Sequence, residues 1–267
     1  MKNSKYLAAI VIPVYKSTLT HSESVSLEAC KKTLSKWPIY YACPDNLKTD
    51  YFDFHNQENV MYFNASYFRS AYDYNKLMLL PGFYEKFINY EYILIYQLDA
   101  YVFRDELAYW CNAQFSYIGA PWIHNGRVSD YAGNGGFSLR KVEDFITVLK
   151  YTRGSLTAFI SFIQNYLSNS RIFPFFVLPF AIRRYFVCLF MNRKYLKNPD
   201  INEDYFFARK ASEIYTQFSV AQPSTALRFS FEEEPELLYA INGSRLPFGC
   251  HAFEKYGGGF WKNHIEY

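Results

Sequence analysis

Tyr92-Ile-Leu-Ile-Tyr-Gln-Leu-Asp-Ala-Tyr-Val-Phe103 is the stretch of sequence that decides the fold. Its first five residues, Tyr92 to Tyr96, are apolar or aromatic without interruption. A short apolar run of this kind is typical of a strand buried on both faces of a mostly parallel sheet. We therefore predict a central strand here, with Gln97 and Asp99 just beyond its carboxyl end.

Gln97 and Asp99 are the first polar residues after this apolar run. Open α/β sheets bind ligands beyond the carboxyl ends of their strands. An ionised Asp needs a partner in an apolar setting because its desolvation is costly, and a divalent metal ion carrying a phosphate would supply one. The alternative is an Asp that caps the next turn by accepting a backbone N–H. The stretch by itself leaves both interpretations open.

The segments around the central strand alternate between strand and helix patterns. Leu7–Val14 is predicted as a first strand, Glu23–Leu34 as a helix and Pro38–Cys43 as a second strand. This order implies a right-handed crossover and a parallel sheet. Ser70–Leu80 and Lys141–Lys150 have the apolar spacing of helices, so the fold class is α/β with helices flanking a mostly parallel central sheet.

Other segments give weaker predictions of secondary structure. Phe83–Tyr90 is predicted as a short helix, Tyr117–Trp122 as a short strand and Val220–Ser230 as one or two strands. Glu203–Glu213 follows a Pro-Asp break and is predicted as a helix. Acidic residues in its first turn favour the helix dipole.

Composition narrows the classes of protein to consider. The 267 residues are enough for one large α/β domain or for a domain with an insertion. Aromatic residues make up 21% of the chain, and they suit surfaces that stack on sugars or bases, or a membrane interface. The net charge of +3 is too small to indicate nucleic acid as the main partner.

The five cysteines are scattered and form no CxxC pair, so they indicate neither a zinc site nor a disulfide framework. We expect reduced thiols in a cytoplasmic protein. The apolar run Leu7–Val14 is short and is broken by Pro13, unlike a usual signal peptide.

Tyr131-Ala-Gly-Asn-Gly-Gly-Phe-Ser-Leu-Arg140 is the second informative stretch. Three glycines in four positions predict a backbone that passes close to another group or adopts a positive φ. The spacing is not that of a dinucleotide-binding fingerprint. A tight hairpin is the alternative interpretation.

Residues 152–199 differ in composition from the rest of the chain. Phe173–Lys197 interleaves phenylalanines with arginines and lysines, and its central arginines and prolines argue against a transmembrane helix. The pattern fits a segment lying in a membrane interface. It fits an ordinary helical insertion packed on the core equally well.

Five motifs, taken together in this order, support a family resemblance. They are Tyr96-Gln-Leu-Asp-Ala100, Ile118-Gly-Ala-Pro-Trp122, Gly133-Asn-Gly-Gly-Phe-Ser-Leu-Arg140, Asn202-Glu-Asp-Tyr-Phe206 and Pro247-Phe-Gly-Cys-His-Ala-Phe253. The set resembles the GT-A fold of nucleotide-sugar glycosyltransferases, and more narrowly an uncharacterised bacterial family of surface-polysaccharide glycosyltransferases. The resemblance covers most of the chain from Leu7 to Phe253, except for the aromatic insertion. It implies one Rossmann-like GT-A catalytic domain over residues 1–267, with 152–199 as an aromatic-rich helical insertion.

The resemblance implies roles for individual residues. Asp99 and His251 would hold Mn²⁺ or Mg²⁺. Gln97 stands at the Asp-x-Asp position, and because a neutral amide binds a cation less well than a carboxylate, strict metal dependence is in doubt. Asp204 would be the general base of an inverting transfer, with Glu203 as its fallback.

The resemblance also implies two sets of binding residues. The donor nucleotide would contact Gln97, Asp99, Asn75, Lys76 and Tyr15. The sugars would contact Trp122, Asn134, Gly135, Gly136 and Tyr101, and Tyr131 is a further candidate to stack on a sugar face.

The implied reaction moves a hexose, of the galactose or galactofuranose type, from a UDP-linked donor to a glycan acceptor. That acceptor would be a lipid-linked intermediate of O-antigen, lipopolysaccharide or capsule synthesis, and the enzyme would lie on the inner face of the plasma membrane. A divalent ion would neutralise the charge that develops on the leaving diphosphate. A carboxylate would take the proton of the acceptor hydroxyl.

Two other functions stay open at the level of sequence. A nucleotidyltransferase also places metal and phosphates at strand ends, but it needs a basic phosphate loop near the first strand, where Tyr15-Lys16-Ser17 offers little. A non-catalytic carbohydrate-binding protein on a decayed version of the fold would explain Gln97. The glycosyltransferase hypothesis requires Asp99, Asp204 and His251 to meet in one cleft.

Overall fold

The computed structural model describes residues 5–48, 59–154, 156–168, 174–196 and 202–266. The strands in these ranges are β1 (Tyr6–Pro13), β2 (Ile39–Pro44), β3 (Val60–Phe63), β4 (Tyr90–Tyr96), β5 (Tyr101–Val102), β6 (Tyr117–Ile118), β7 (Pro121–His124), β8 (Arg127–Ala132), β9 (Phe137–Lys141), β10 (Ser230–Phe231) and β11 (Gly249–Cys250). The helices in these ranges are α1 (His21–Thr33), α2 (Ala71–Met78), α3 (Pro81–Glu85), α4 (Leu107–Asn112), α5 (Val142–Arg153), α6 (Leu156–Ser168), α7 (Pro174–Leu196), α8 (Glu203–Arg209), α9 (Ala211–Ile214), α10 (Pro223–Phe229), α11 (Pro235–Ile241) and α12 (Gly258–Trp261), and a 3-10 turn spans Ala65–Phe68.

A six-stranded sheet of order β3-β2-β1-β4-β9-β6 forms the centre of the molecule. β3, β2, β1 and β4 are mutually parallel. β9 runs antiparallel to both of its neighbours, β4 and β6. The predicted α/β class, with a mostly parallel central sheet flanked by helices, is confirmed.

β4 is buried on both faces, as its apolar run predicts. Tyr92, Leu94 and Tyr96 pack into the core cluster that contains residues of α1 and α4. Ile93 and Ile95 pack on the opposite face, in the cluster that contains α5 and α8. Burial of one such side chain contributes roughly 1.5–3 kcal/mol, so this strand holds the two helical layers together.

The crossover from β1 to β2 begins at a capped helix. The Thr20 hydroxyl accepts a hydrogen bond from the Glu23 backbone N–H at 3.2 Å, and the Glu23 carboxylate accepts one from the Thr20 N–H at 2.8 Å. This reciprocal capping box satisfies two donors that a helix start leaves unpaired. It fixes the start of α1 beside the carboxyl end of β1.

Two smaller sheets extend the central one. β5, β11 and β10 form a three-stranded sheet, and β7 and β8 form a two-stranded one. The three-stranded sheet has its own apolar cluster, which includes Phe231, Phe253 and Trp261.

Four secondary-structure predictions are wrong in part. Residues 117–122 are not one strand but belong to two, β6 and β7, which lie in different sheets. Residues 220–230 are mostly the helix α10 and not a strand, because Pro223 opens a helical turn with its fixed φ. The helix predicted at 83–90 is α3, which ends at Glu85 before β4 begins at Tyr90. The helix predicted at 203–213 is divided between α8 and α9.

The segment 152–199 contains the helices α6 and α7, which pack on each other and on α5. Phe162 of α6 and Tyr185 of α7 are buried in their interface, with ring centroids 5.3 Å apart. Among the described helices, none is both long enough and apolar enough to cross a membrane. Phe173 and Lys197, the ends of the predicted interface segment, lie outside the described residues.

Candidate active site

A cleft of about 480 Å³ opens beyond the carboxyl ends of β1 and β4. These two strands flank the switch point of the sheet, since the chain leaves β1 toward β2 on one side and returns through β4 on the other. Ligands of α/β sheets bind at such points. The cleft is lined by Pro13, Val14, Tyr15, Lys16, Leu19, Thr20, Glu23, Phe68, Arg69, Ser70, Ala71, Tyr74, Gln97, Leu98, Asp99 and Glu254.

His251 joins three side chains at one edge of this cleft. Its Nε2 lies 3.2 Å from Asp99 Oδ1 and 3.1 Å from Gln97 Oε1. Its Nδ1 lies 3.0 Å from Glu232 Oε1. The three-stranded sheet positions His251 and Glu232 together. Glu232 follows β10, His251 follows β11, and the His251 N–H donates to the Phe231 carbonyl.

The two carboxylates determine the charge of His251. Burial disfavours the imidazolium, but the hydrogen bonds and charges of Asp99 and Glu232 outweigh it and raise the pKa of His251 from 6.5 to about 10. Burial acts to raise the pKa of Asp99, and the hydrogen bond and charge of His251 reverse this and lower it. With a pKa of about 10, the His251 ring carries a proton at neutral pH.

The donor set at His251 fits a divalent metal ion. A carboxylate oxygen, an amide oxygen and an imidazole nitrogen are ligands that Mn²⁺ and Mg²⁺ accept, and Asp99 and Gln97 present theirs within 3.2 Å of His251 Nε2. Glu232 holds Nδ1, as carboxylates do behind metal-binding histidines. In the described part of the chain, no three His, Cys, Asp or Glu side chains group as a metal site, so this one depends on Gln97 as the third ligand.

The glycine-rich loop lies against His251 on one side and against the start of α8 on the other. A Cβ atom on Gly136 would lie 2.0 Å from His251 Nε2, and one on Gly135 would lie 2.6 Å from Glu203 Oε1 and 3.5 Å from Asp204 Cβ. Close approach, which the sequence offered as one interpretation, is the reason for both glycines. Asp204 and His251 therefore lie beside two adjacent residues of one loop.

Asn134 holds the shape of this loop. Its Oδ1 accepts a hydrogen bond from the Gly136 N–H at 3.0 Å. The Gly136 carbonyl in turn accepts one from the Gln97 N–H at 2.9 Å, which ties the loop to the end of β4. In this structure the Asn134 oxygen is engaged by backbone, and its predicted contact with sugar stays a prediction.

A buried ion pair lies beneath the loop. Arg140, which is 0% exposed, donates to both carboxylate oxygens of Glu203, at 2.8 and 3.3 Å. It also donates to the Tyr84 hydroxyl at 2.8 Å and to the Gly135 carbonyl at 3.1 Å. Glu203 is thus occupied by Arg140, and the geometry disfavours its predicted role as the fallback base.

Asp204 is a carboxylate with a strongly shifted pKa. Burial, followed by the charge of Glu203, raises the pKa of Asp204 from 3.8 to about 7. Its Oδ1 accepts a hydrogen bond from the Tyr205 N–H at 2.6 Å. A carboxylate with a pKa near neutrality can accept a proton and release it again, and this favours Asp204 over Glu203 as the base.

The residues predicted to contact the nucleotide are only partly at the cleft. Tyr15 lines it, together with Gln97 and Asp99. Asn75 instead donates to Asn202 Oδ1 at 3.0 Å, and Lys76 pairs with Asp73 at 2.8 Å. Neither lines the cleft, because the residues that α2 turns toward it are Ala71 and Tyr74, three positions apart on one face.

Two predicted sugar-stacking residues flank α8. The Trp122 ring stacks on Tyr205 at 17° with centroids 6.1 Å apart, and Tyr131 lies 4.2 Å from the Arg209 guanidinium. Tyr101 lies elsewhere, packed on Phe103 and Phe253. β5 pairs with β11 and sets Tyr101 against the smaller apolar cluster, so the structure does not place it at the cleft.

Sequence reasoning missed Arg140 and Glu232. Arg140 had a signal, since a charged residue at the end of the apolar Phe137-Ser-Leu run is buried only with a partner. No sequence signal distinguishes Glu232 from Glu233 and Glu234 beside it. The short strand β10 alone decides which of the three faces His251.

Comparisons with known proteins give one family match. The sequence model described as "Protein of unknown function (DUF5672)" matches residues 57–251. A search of curated proteins found no match to this sequence.

Three solved structures illustrate the likeness of the fold, each with 11% sequence identity. The apo-form of the glycosyltransferase GlyE from Streptococcus pneumoniae TIGR4 has a TM-score of 0.46, covering 93% of this chain and 54% of its own, so the chain spans about half of GlyE. A glycosyltransferase involved in glycosylation of the major capsid of PBCV-1 has a TM-score of 0.46, with 97% and 98% covered. The galactosyltransferase LgtC, in complex with donor and acceptor sugar analogs, has a TM-score of 0.43, with 91% and 86% covered. TM-scores below 0.5 do not decide function.

Proposed function

The chain belongs to the DUF5672 family of proteins of unknown function, and we propose that its cleft binds a nucleotide sugar and transfers the hexose to a glycan hydroxyl. One observation supports this most: Asp99 lines the cleft and contacts His251, and the adjacent residues Gly136 and Gly135 lie against His251 and beside Asp204. The mixed sheet with its crevice between β1 and β4 is compatible with the GT-A fold that the sequence motifs resemble.

The cleft itself suits the nucleotide part of the donor. Tyr15, Phe68 and Tyr74 offer aromatic surfaces for a base, and Lys16 and Arg69 bring positive charge to its wall. A UDP-linked hexose of the galactose or galactofuranose type is the proposed donor. The proposed acceptor is a lipid-linked glycan of surface-polysaccharide synthesis.

Asp99, His251 and Gln97 would hold Mn²⁺ or Mg²⁺ at the junction between this cleft and the glycine-rich loop. Bound there, the ion would neutralise the negative charge that develops on the leaving diphosphate. Glu232 would orient the His251 ring through Nδ1 and leave Nε2 toward the ligand site.

Asp204 would act on the acceptor. Its carboxylate takes the proton of the acceptor hydroxyl while that oxygen forms a bond to the anomeric carbon. The bond from the anomeric carbon to the phosphate oxygen breaks, and its electron pair leaves with the diphosphate. Attack from the face opposite the leaving group inverts the anomeric configuration.

Thermal shift with a panel of nucleotide sugars, each with and without Mn²⁺, tests this proposal. We expect UDP and one UDP-hexose to raise the Tm only when Mn²⁺ is present. At a ligand concentration of one hundred times Kd, the free energy of unfolding should increase by about 2.7 kcal/mol. Asp99→Asn should lose the shift, whereas Asp130→Asn, on the exposed part of β8, should keep it. If no nucleotide or nucleotide sugar shifts the Tm, the proposal is wrong.

A nucleotidyltransferase is the second candidate, since Lys16 at the end of β1 does line the cleft. Its reaction would release pyrophosphate, whereas sugar transfer releases the nucleoside diphosphate. Analysis of the products from any active donor distinguishes the two. A purely carbohydrate-binding protein would release neither.

A further inference from the structure

The outer face of α7 presents a stripe of exposed apolar side chains. Phe176, Phe180, Val187 and Phe190 are 67%, 66%, 52% and 76% exposed. Together with exposed Arg183 they recur at alternating steps of four and three residues, so they lie on one face of the helix. A contiguous patch of exposed apolar side chains marks an interaction surface, whereas single exposed apolar residues are normal.

α6 adds to the same exposed apolar surface. Leu156 and Ile160 are 73% and 45% exposed and lie one helical turn apart. Phe159, the residue before Ile160, contacts Phe186 of α7 with ring centroids 6.1 Å apart, which places the two helices side by side. We call the set Leu156, Ile160, Phe176, Phe180, Arg183, Phe186, Val187 and Phe190 the hairpin face.

Charge indicates what covers the hairpin face. From residue 145 to residue 199 the sequence contains no Asp or Glu. The same span contains the basic residues Lys150, Arg153, Arg171, Arg183, Arg184, Arg193, Lys194 and Lys197. Its partner should therefore be both apolar and negatively charged. An acidic bilayer surface combines these two properties.

A second copy of the chain fits less well. A symmetric dimer through the hairpin face would place the Arg183 side chains of both copies in one interface. No acidic residue of this span could pair with them, and unpaired charges are costly to bury.

We propose that the hairpin face docks the protein onto an anionic lipid surface, with its phenylalanines among the acyl chains and Arg183 at the headgroups. α7 packs against α8, and α8 begins at Glu203 and Asp204. Resting on the proposed function, this docking makes the acceptor a lipid-borne glycan presented at the start of α8.

Vesicle co-sedimentation, without any nucleotide sugar, tests the proposal. We expect the full chain to bind vesicles of equal parts phosphatidylglycerol and phosphatidylcholine more tightly than vesicles of phosphatidylcholine alone. Replacing Phe180 and Phe190 together by Glu should weaken binding more than tenfold, since each buried Phe contributes roughly 1.5–3 kcal/mol. Arg183→Ala should weaken binding to the anionic vesicles about fivefold.

Ile241→Glu is the matched control, because Ile241 is 50% exposed on α11, away from the hairpin face. This variant should bind vesicles as the unmodified chain does. All variants should have the circular dichroism spectrum of the unmodified chain. Failure of the unmodified chain to sediment with anionic vesicles would overturn the proposal. So would equal binding by the double Glu variant, or dimerisation in solution that this variant abolishes. Vesicle binding without any nucleotide-sugar binding would leave the docking in place and remove only the proposed function.

Discussion

At the scale of single residues, the Asp204 carboxylate destabilises the fold at the pH where it would act as a base. With a pKa of about 7 in the folded protein against 3.8 ordinarily, its carboxyl binds more protons when folded across that interval. Its contribution to stability is therefore fully present below pH 3.8 and is lost as the pH rises through 7. A base that works near neutrality is thus maintained at a cost in folding free energy.

We predict that Asp204→Asn lowers the rate of transfer by about a hundredfold or more and leaves UDP binding within a few-fold. The same variant should raise the Tm at pH 8 by several degrees, since about 1 kcal/mol moves the Tm of a chain this size by roughly 2–4 °C. The gain should shrink as the pH falls to 4. Kinetics and thermal unfolding measure both effects, with Asp130→Asn as the control. Transfer at the unmodified rate would remove Asp204 from the base role.

His251 gives a second prediction with a defined pH window. Its pKa is raised from 6.5 to about 10, so the stability that its cation contributes is fully present below 6.5 and is lost as the pH rises through 10. A metal ion must displace this proton, so Mn²⁺ affinity should rise about tenfold per pH unit between 7 and 9. Calorimetry in buffers of different ionisation enthalpy should show a proton released on binding.

Glu232→Gln should lower Mn²⁺ affinity about 10–100-fold at pH 8, because the carboxylate no longer orients the ring. Glu233→Gln, one residue further along the chain, is the matched control and should bind as the unmodified protein does. An affinity that depends on neither pH nor Glu232 would contradict the assignment of His251 as a ligand.

At the scale of elements, the glycine-rich loop connects the two halves of the site. Gly136→Ala places a Cβ where the His251 ring now lies, at 2.0 Å from Nε2. We predict that this variant still unfolds cooperatively but that Mn²⁺ no longer raises its Tm. Gly82→Ala, in α3 with nothing within 4 Å of the added atom, should leave both unchanged. Unaltered Mn²⁺ binding by Gly136→Ala would show that the ring is not confined as described.

The pair Arg140–Glu203 gives an element-scale test of stability. Glu203→Gln leaves the fully buried guanidinium without its counter-charge, which costs about 3–5 kcal/mol. Arg140→Met and Glu203→Leu combined should cost less than the sum of the two single changes, because no charge is then left unpaired. Urea unfolding of the unmodified protein, Arg140→Met, Glu203→Leu and the double variant measures this coupling. Strict additivity would mean that the ion pair does not hold the loop to α8.

At the scale of the whole molecule, the sequence predicted the layers better than the contacts between them. The apolar run of β4 and the strand–helix–strand order at the amino-terminal end were enough for a mostly parallel sheet with helices around it. Residues 220–230 were predicted as one or two strands, although Pro223 starts a helix there.

The candidate site was predictable only through motifs. Asp99, Asp204 and His251 were grouped by resemblance alone, since no local pattern relates positions so distant. The structure brings Asp99 and His251 into contact, and the role of the three residues stays a prediction. Asn75 and Tyr101 lie near site residues in sequence, yet tertiary pairing turns their side chains elsewhere. Side-chain direction of this kind depends on which elements pack together, and a single sequence does not encode it locally.

The most direct test of the central claim is the release of UDP from UDP-hexoses by the purified protein in the presence of Mn²⁺. The claim is that Asp99, Asp204 and His251 form one sugar-transfer cleft. It predicts slow release of UDP, without pyrophosphate, that is lost on adding EDTA and in both Asp99→Asn and His251→Ala. Release that persists unchanged in those two variants, or no release from any nucleotide sugar, would contradict it.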